Sequence, residues 1–295
     1  MSDIKIGIIG GSGVGNIFGE NNGQRIEIDT PFGSPSAPVL MTKLENSDVE
    51  VAIIQRHGIG HIHPPSSVPY RANIFALKQI GVTHIIASGA TGSLREEYKP
   101  RDIVIPDQVI DKTYKRPNTF YEKAAVHCEL SQPFCPVMRK WLLKASEALK
   151  DTDVHDSGTY VCMEGPSFST KAESEMHRQW GGDLIGMTCM PEAKLAREAE
   201  IAYGLIALPT DYDCWRPHDT GLSQQQLLEE IIGHVQHASA NAIRLMQIAL
   251  KDISILKDHP SPASESLKLA IWSDKSKIDS EEIKRLDVLW GKYFD

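Results

Sequence analysis

The chain reads as an α/β protein with a mostly parallel sheet covered by helices on both faces. Three observations predict this. Apolar runs of strand length recur at 4–9, 37–42, 49–54, 83–87, 102–105, 158–163, 183–187 and 202–208. Stretches of helical period lie between some of them, at 70–80, 136–149, 170–180 and 190–200. A sustained apolar stripe follows the last strand at 223–251. Strands that alternate with helices are joined by crossovers, which make neighbouring strands parallel and cover both faces.

The first run ends in a glycine-rich turn, IKIGIIGGSG at 4–13. A dinucleotide fingerprint needs G-x-G-x-x-G and an acid about 20 residues on. Counting from Gly11 the third glycine would be Asn16, and counting from Gly13 it would be Phe18. Asp29 precedes Thr30-Pro31 rather than ending an apolar strand. No lysine follows the glycines, so a P-loop is excluded as well. The turn suits an anion held by backbone N–H groups and the Ser12 hydroxyl, or it is a turn with no ligand.

Pro64-Pro65-Ser66-Ser67 is a loop before the first helix. Residues 111–135 carry polar and aromatic residues without period and read as a long excursion, a length usually tied to function or disorder. In 223–251, Leu227, Leu228, Ile231, Ile232, Val235, Ala238, Ala242 and Leu245 repeat at helical spacing. Beyond Asp258 the chain is Pro/Ser-rich, with a short amphipathic stretch at 281–290. The division is therefore 1–251 as the main α/β unit and 252–295 as an appendage of unknown role.

Net charge is −8 with no basic run, which argues against a nucleic-acid partner. No apolar run approaches the ~18 residues of a membrane span, and the N-terminus lacks the pattern of a signal peptide. Cys128, Cys135, Cys162, Cys189 and Cys214 are odd in number and contain no C-x-x-C pair. They indicate neither a zinc site nor a disulfide framework. The expectation is a reduced, cytoplasmic protein.

Ligands of open α/β sheets sit beyond the carboxyl ends of the strands. The residues there are Gly10-Gly11-Ser12-Gly13, Gln55-Arg56-His57-Gly58, Ser88-Gly89-Ala90-Thr91-Gly92-Ser93, Thr188, and Thr210-Asp211-Tyr212-Asp213. Arg56 offers a planar fork for an anion. Ser12 and Thr188 offer hydroxyls, and the two glycine turns offer N–H groups. His57, His61 and His63 share a loop, but zinc needs several ligands converging tetrahedrally, and this spacing is weak support for that. Asp211 and Asp213, two apart, share a face in extended backbone. They suit a group with adjacent donor and acceptor positions, such as the N6/N7 edge of adenine. An exposed acidic turn capping the next helix is the other reading.

Six segments in order carry a resemblance: GIIGGSG, RHGIGHIHPPSSVPYRANIFALKQIGV, GSLREEYKPRDIVIPDQ, MEGPSFSTKAES, DLIGMTCMPEAKLARE and TDYDCW. Over about 4–250 the chain resembles the methylthioadenosine phosphorylases of the trimeric purine nucleoside phosphorylase superfamily. The resemblance implies one α/β domain with a central mixed, partly barrel-like sheet flanked by helices, and a homotrimer with sites near subunit contacts. It implies reversible phosphorolysis of 5′-methylthioadenosine to adenine and 5-methylthioribose 1-phosphate, in purine and methionine salvage, with adenosine as a further substrate. Inorganic phosphate is then a co-substrate, and no metal or redox cofactor is expected.

Position by position, the resemblance implies a phosphate site of Ser12, Arg56, His57, Gly89, Ala90 and Thr188. Met187 lies against the ribose, and Asp211 and Asp213 are the base-binding, catalytic acids. Of these, Asp211 is assigned to N7 and Asp213 to the 6-amino group. Phe168 and Ser169 line the base pocket, and His127 reaches a neighbour's site near the 5′ group. Three positions depart from the family pattern: Gly89 replaces a hydroxyl residue, Gly186 replaces an asparagine, and Gln224 is polar where relatives preferring a methylthio group are apolar. The rival readings are an inosine-type phosphorylase, which usually carries asparagine where this chain has Asp213, and a non-catalytic nucleoside-binding protein on the same fold. Intact half-sites for both substrates argue against the second.

Overall fold

The computed structural model describes residues 4–11, 23–43, 49–216 and 223–294. The strands are β1 (Ile6–Gly10), β2 (Gln24–Ile26), β3 (Val39–Lys43), β4 (Glu50–Gln55), β5 (His84–Ser93), β6 (Ile103–Val104), β7 (Gln108–Lys112), β8 (Val154–His155), β9 (Thr159–Met163), β10 (Leu184–Gly186) and β11 (Ala202–Tyr212). The helices are α1 (Tyr70–Gln79), α2 (Pro136–Ser146), α3 (Lys171–Gln179), α4 (Cys189–Glu198), α5 (Gln224–Lys251), α6 (Ser254–Asp258), α7 (Ser280–Arg285) and α8 (Asp287–Trp290). Each apolar run becomes a strand and each helical stretch a helix. Two helix starts are written locally. Thr170 with Glu173, and Ser223 with Gln226, form reciprocal capping boxes at α3 and α5.

The sheet is mixed, and helices flank it. Its path runs β2-β3-β4-β1-β5-β10-β9-β7, with β11 on the other edge of β5 and β6 and β8 beyond it. The centre is parallel: β1 pairs with β4 and β5, and β5 with β11. The β2-β3-β4 edge and the β5–β10 junction are antiparallel. The path ends at β2 and β7 without closing, so the sheet is not a closed barrel.

One irregularity makes the site. β11 follows β5 from His84 to Ser93. On the opposite edge β1 pairs only as far as Ala87, and β10 joins only at Gly92. The sheet parts between them, beside Ser88, Gly89, Ala90 and Thr91. This is the switch-point crevice at which α/β sheets take ligands.

Apolar side chains pack into two layers, one on each face. One gathers Ile9, Ile54, Phe75, Leu77, Leu195 and Leu205, and the other Ile8, Ile53, Trp141, Leu245 and Leu250. Residues 252–294 are packed onto this core. Trp290 is buried against Tyr121 with ring centroids 4.8 Å apart, and Leu286 and Leu289 join the first layer. Glu200 ties the end of the chain down, accepting from Tyr293 Oη at 2.5 Å and pairing with Lys292 at 2.6 Å. Residue Ile271 bridges Val126 of the excursion.

Candidate active site

The crevice opens into a cavity of about 670 Å³. Arg56, His57, Gly89, Ala90, Met187, Thr188, Phe168, Ser169, Asp211 and Asp213 all line it, with Gly11 from the glycine turn. Ser12 lies outside the described residues, and so does the side chain of Gln224. His127 does not line this chain's cavity. It is exposed, its N–H donates to Ala270 O at 2.9 Å, and its ring packs edge-on against Trp272.

One end of the cavity gathers a guanidinium, a hydroxyl and glycine backbone, from Arg56, Thr188 and Gly89. Arg56 leaves β4 with its N–H on Gly10 O, and its side chain is 1% exposed. Nε and Nη2 donate to the Glu192 carboxylate at 2.5 and 3.0 Å, and Nη1 donates to Ser88 O at 2.8 Å. Tyr203 Oη donates to the same carboxylate at 2.8 Å. Burial works against charge on Arg56, but the Glu192 carboxylate overrides it and holds the guanidinium protonated. The cavity is therefore addressed by the Nη1 edge, not by the whole fork. A methyl group added to Gly89 would stand 3.2 Å from Thr188 Oγ1 and 3.9 Å from Arg56 Nη1. Glycine there keeps open the space between a hydroxyl and a guanidinium.

His57 belongs to the same end. Its Nδ1 donates to His63 O at 2.8 Å, which leaves Nε2 as a lone-pair acceptor. Burial lowers its pKa to about 4, with the Arg56 charge adding to the effect, so the ring is neutral near pH 7. His61 stacks on it at 4.1 Å, nearly parallel. Stacked faces do not converge lone pairs, and no group of three or more His, Cys, Asp or Glu residues poised to hold a metal occurs among the described residues.

The other end carries the acids. Between Pro209 and Asp211 the β5–β11 register shifts, a bulge that re-aims the residues after it. Asp211 Oδ1 accepts from Thr210 Oγ1 at 2.9 Å. Asp213 is fixed through its N–H to Ser93 O at 2.9 Å. Its Oδ2 is buried without a protein partner. Neither acid caps the next helix, since Ser223 does that. Phe168 is 85% exposed at the rim, and Ser169 O accepts from Cys214 Sγ. Met187 faces Gly165, whose φ of +67° and proximity to the Met187 sulfur, 2.5 Å from where a Cβ would stand, both demand glycine. Apolar residues of α5, including Ile231, Val235 and Met246, cover the remaining wall.

Sequence reading missed Glu192 and Arg116. Glu192 shares the apolar face of α4 with Leu195, Ala196 and Ala199, and an acid on such a face is the signal that could have found it. Arg116, in the excursion, pairs with Glu164 at 3.1 Å and donates to Met187 O and Met190 O, both at 2.6 Å. It thereby braces the cavity wall from behind.

The family model of the phosphorylase superfamily matches residues 5–251. The chain is 44% identical to S-methyl-5′-thioadenosine phosphorylase of Synechocystis sp., over 100% of this chain and 89% of the relative. It is 43% identical to the enzyme of that name from Geobacter sulfurreducens, over 98% of each. Among solved structures, a methylthioadenosine phosphorylase from an antarctic soil metagenomic library superposes with a TM-score of 0.88 at 41% identity, covering 98% of this chain and 99% of that one. The Schistosoma mansoni methylthioadenosine phosphorylase in complex with tubercidin gives 0.79 at 32% identity, covering 92% and 99%.

Proposed function

This chain belongs to the phosphorylase superfamily and to its S-methyl-5′-thioadenosine phosphorylases, and from that premise we propose how its cavity cleaves methylthioadenosine with phosphate. The reaction yields adenine and 5-methylthioribose 1-phosphate. The observation that carries the reading is the joining, in one cavity, of an anion end at Arg56, Gly89 and Thr188 with an acid end at Asp211 and Asp213.

The C1′–N9 bond breaks with its electron pair leaving on the purine. Positive charge grows on the ribose, and a phosphate oxygen then bonds to C1′. Phosphate held at Arg56 Nη1, Thr188 Oγ1 and the Gly89–Ala90 backbone stabilises the oxocarbenium-like ribose without reorganisation. His57 Nε2 accepts from the remaining phosphate hydroxyl. Met187 packs on the ribose. Asp211, protonated, delivers its proton to N7 as general acid, and Asp213 accepts from the 6-amino group. Phe168 and Ser169 cover the base. The displacement balances with phosphate and one proton, so no cofactor is required of it.

The chain is further read as a cytoplasmic homotrimer with 252–295 supporting the shared site. Five free cysteines suit a reducing compartment, and no helix among the described residues is long and apolar enough to cross a membrane. Trp272 and Leu269, 72% and 87% exposed on the tail that pairs with the His127 segment, suit a subunit contact.

The test is phosphate-dependent adenine release with methylthioadenosine, adenosine and inosine side by side. Turnover of the first, absent without phosphate, is expected. Preference for inosine would overturn the base assignment.

A further inference from the structure

Tyr160 and Gly186 fit as one unit behind the anion end. They stand on adjacent parallel strands, with Tyr160 level with Leu184 and Cys162 level with Gly186. Tyr160 is 1% exposed. A Cβ on Gly186 would lie 1.9 Å from the phenol oxygen, 2.6 Å from Cζ and 3.2 Å from Thr91 Cγ2. Only glycine fits against the ring, and the demand is for space, since Gly186 has no positive φ. The phenol is thus wedged against the backbone that continues directly into Met187 and Thr188.

The hydroxyl is the telling part. It is sealed from solvent without a hydrogen-bond partner, and so is Thr91 Oγ1, whose methyl reaches the same point. Burial holds the phenol protonated, well above its ordinary range, and the Thr188 N–H faces its oxygen. A phenyl ring would fill the same space without leaving a buried polar atom unpaired, which is unfavourable. The Thr188 N–H is the backbone donor that faces the hydroxyl.

We propose that Tyr160 is a positioning residue for the anion end. Its ring, admitted by Gly186, sets the height of residues 187–188, and its hydroxyl takes the Thr188 N–H when phosphate draws the Thr188 side chain into place. The inference rests on the reading of that end as the phosphate site.

The experiment titrates inorganic phosphate calorimetrically into the full-length protein and measures KM for phosphate and kcat in parallel. Tyr160→Phe is expected to weaken phosphate binding about tenfold, the worth of one hydrogen bond, with KM rising more than kcat falls and no loss in melting temperature. Gly186→Ala is expected to cost roughly a hundredfold through overpacking. Adding Tyr160→Leu, which clears the clash, should return at least about tenfold of that. Phosphate binding by Tyr160→Phe equal to wild type overturns the proposal, as does a double variant no better than Gly186→Ala. If Gly186→Ala does not fold, the Tyr160→Phe titration decides. A wild type that fails to bind phosphate overturns the phosphate-site reading itself, a separate result from a wild type that binds it and a variant that binds it equally well.

Discussion

Arg56 and Glu192, 136 residues apart, form a bidentate ion pair in which both side chains are at most 1% exposed. With Nη1 donating to Ser88 O as well, all three guanidinium nitrogens of this cavity-lining arginine are bonded to the protein. This pre-orients it, and it ties the binding site to the stability of the fold.

Breaking that pair from one side leaves a buried charge, at a cost of roughly 3–5 kcal/mol. Arg56→Ala and Glu192→Ala should each lower the unfolding free energy by about that much. Arg56→Met with Glu192→Leu replaces both charges by apolar groups and should recover most of the stability while phosphate use stays lost. Chemical denaturation and phosphate KM, measured on the same four proteins, check both parts. Stability recovered together with phosphate affinity would remove Arg56 from the anion site.

In the proposed reading, Asp213 accepts from the 6-amino group of the base. A 6-oxo purine would set acceptor against acceptor, a buried mismatch worth about 1–3 kcal/mol and more when charged. The wild type should barely touch inosine. Asp213→Asn can donate from its amide. It should lower kcat/KM on methylthioadenosine and raise it on inosine. An unchanged ratio of the two efficiencies would place Asp213 elsewhere.

Glu198 supplies a pH signature. Burial raises its pKa to about 7, against hydrogen bonds from the Phe120 N–H and Thr119 Oγ1 that lower it. The folded state therefore holds this proton more tightly than the unfolded chain does. Its contribution to stability is full below the unfolded carboxylate pKa near 4.5, and it is lost as pH rises through about 7. The loss is on the order of a few kcal/mol, since one pKa unit is about 1.4 kcal/mol. The difference in unfolding free energy between wild type and Glu198→Gln should shift across that window, to the disadvantage of wild type at the alkaline end. A difference that is flat with pH would contradict the raised pKa.

Assembly is open to a direct measurement. Sedimentation equilibrium should give three copies, and Trp272→Asp should shift the protein toward monomer and lower activity with it. A fully active monomer would contradict the shared site.

The central strands were legible because their runs are apolar and β-branched. β5 shows where that signal stops. Its first residues, HIIA, read as strand, whereas SGATGS reads as a turn. Pairing with β11 through Ser93 makes it strand, since ladder hydrogen bonds need no apolar side chain. β2 and β8 are three and two residues long, too short to show a period. The same limit applies to the site. That Arg56, Thr188, Asp211 and Asp213 line one cavity was legible because they follow strand ends, and that rule needs only local sequence. Glu192, Arg116 and Tyr160 act across long stretches of chain, and no local pattern carries their partners.

Local chemistry therefore determined the strands, the capped helices, the glycines at crowded turns and the donor and acceptor types at the strand ends. Tertiary structure alone decided where β1 and β10 part from β5 to open the crevice. It also decided which edge of Arg56 faces the cavity and which side chain makes glycine obligatory at 186. These depend on the distances between elements remote in sequence, which are set by packing the whole core at once and by no single segment.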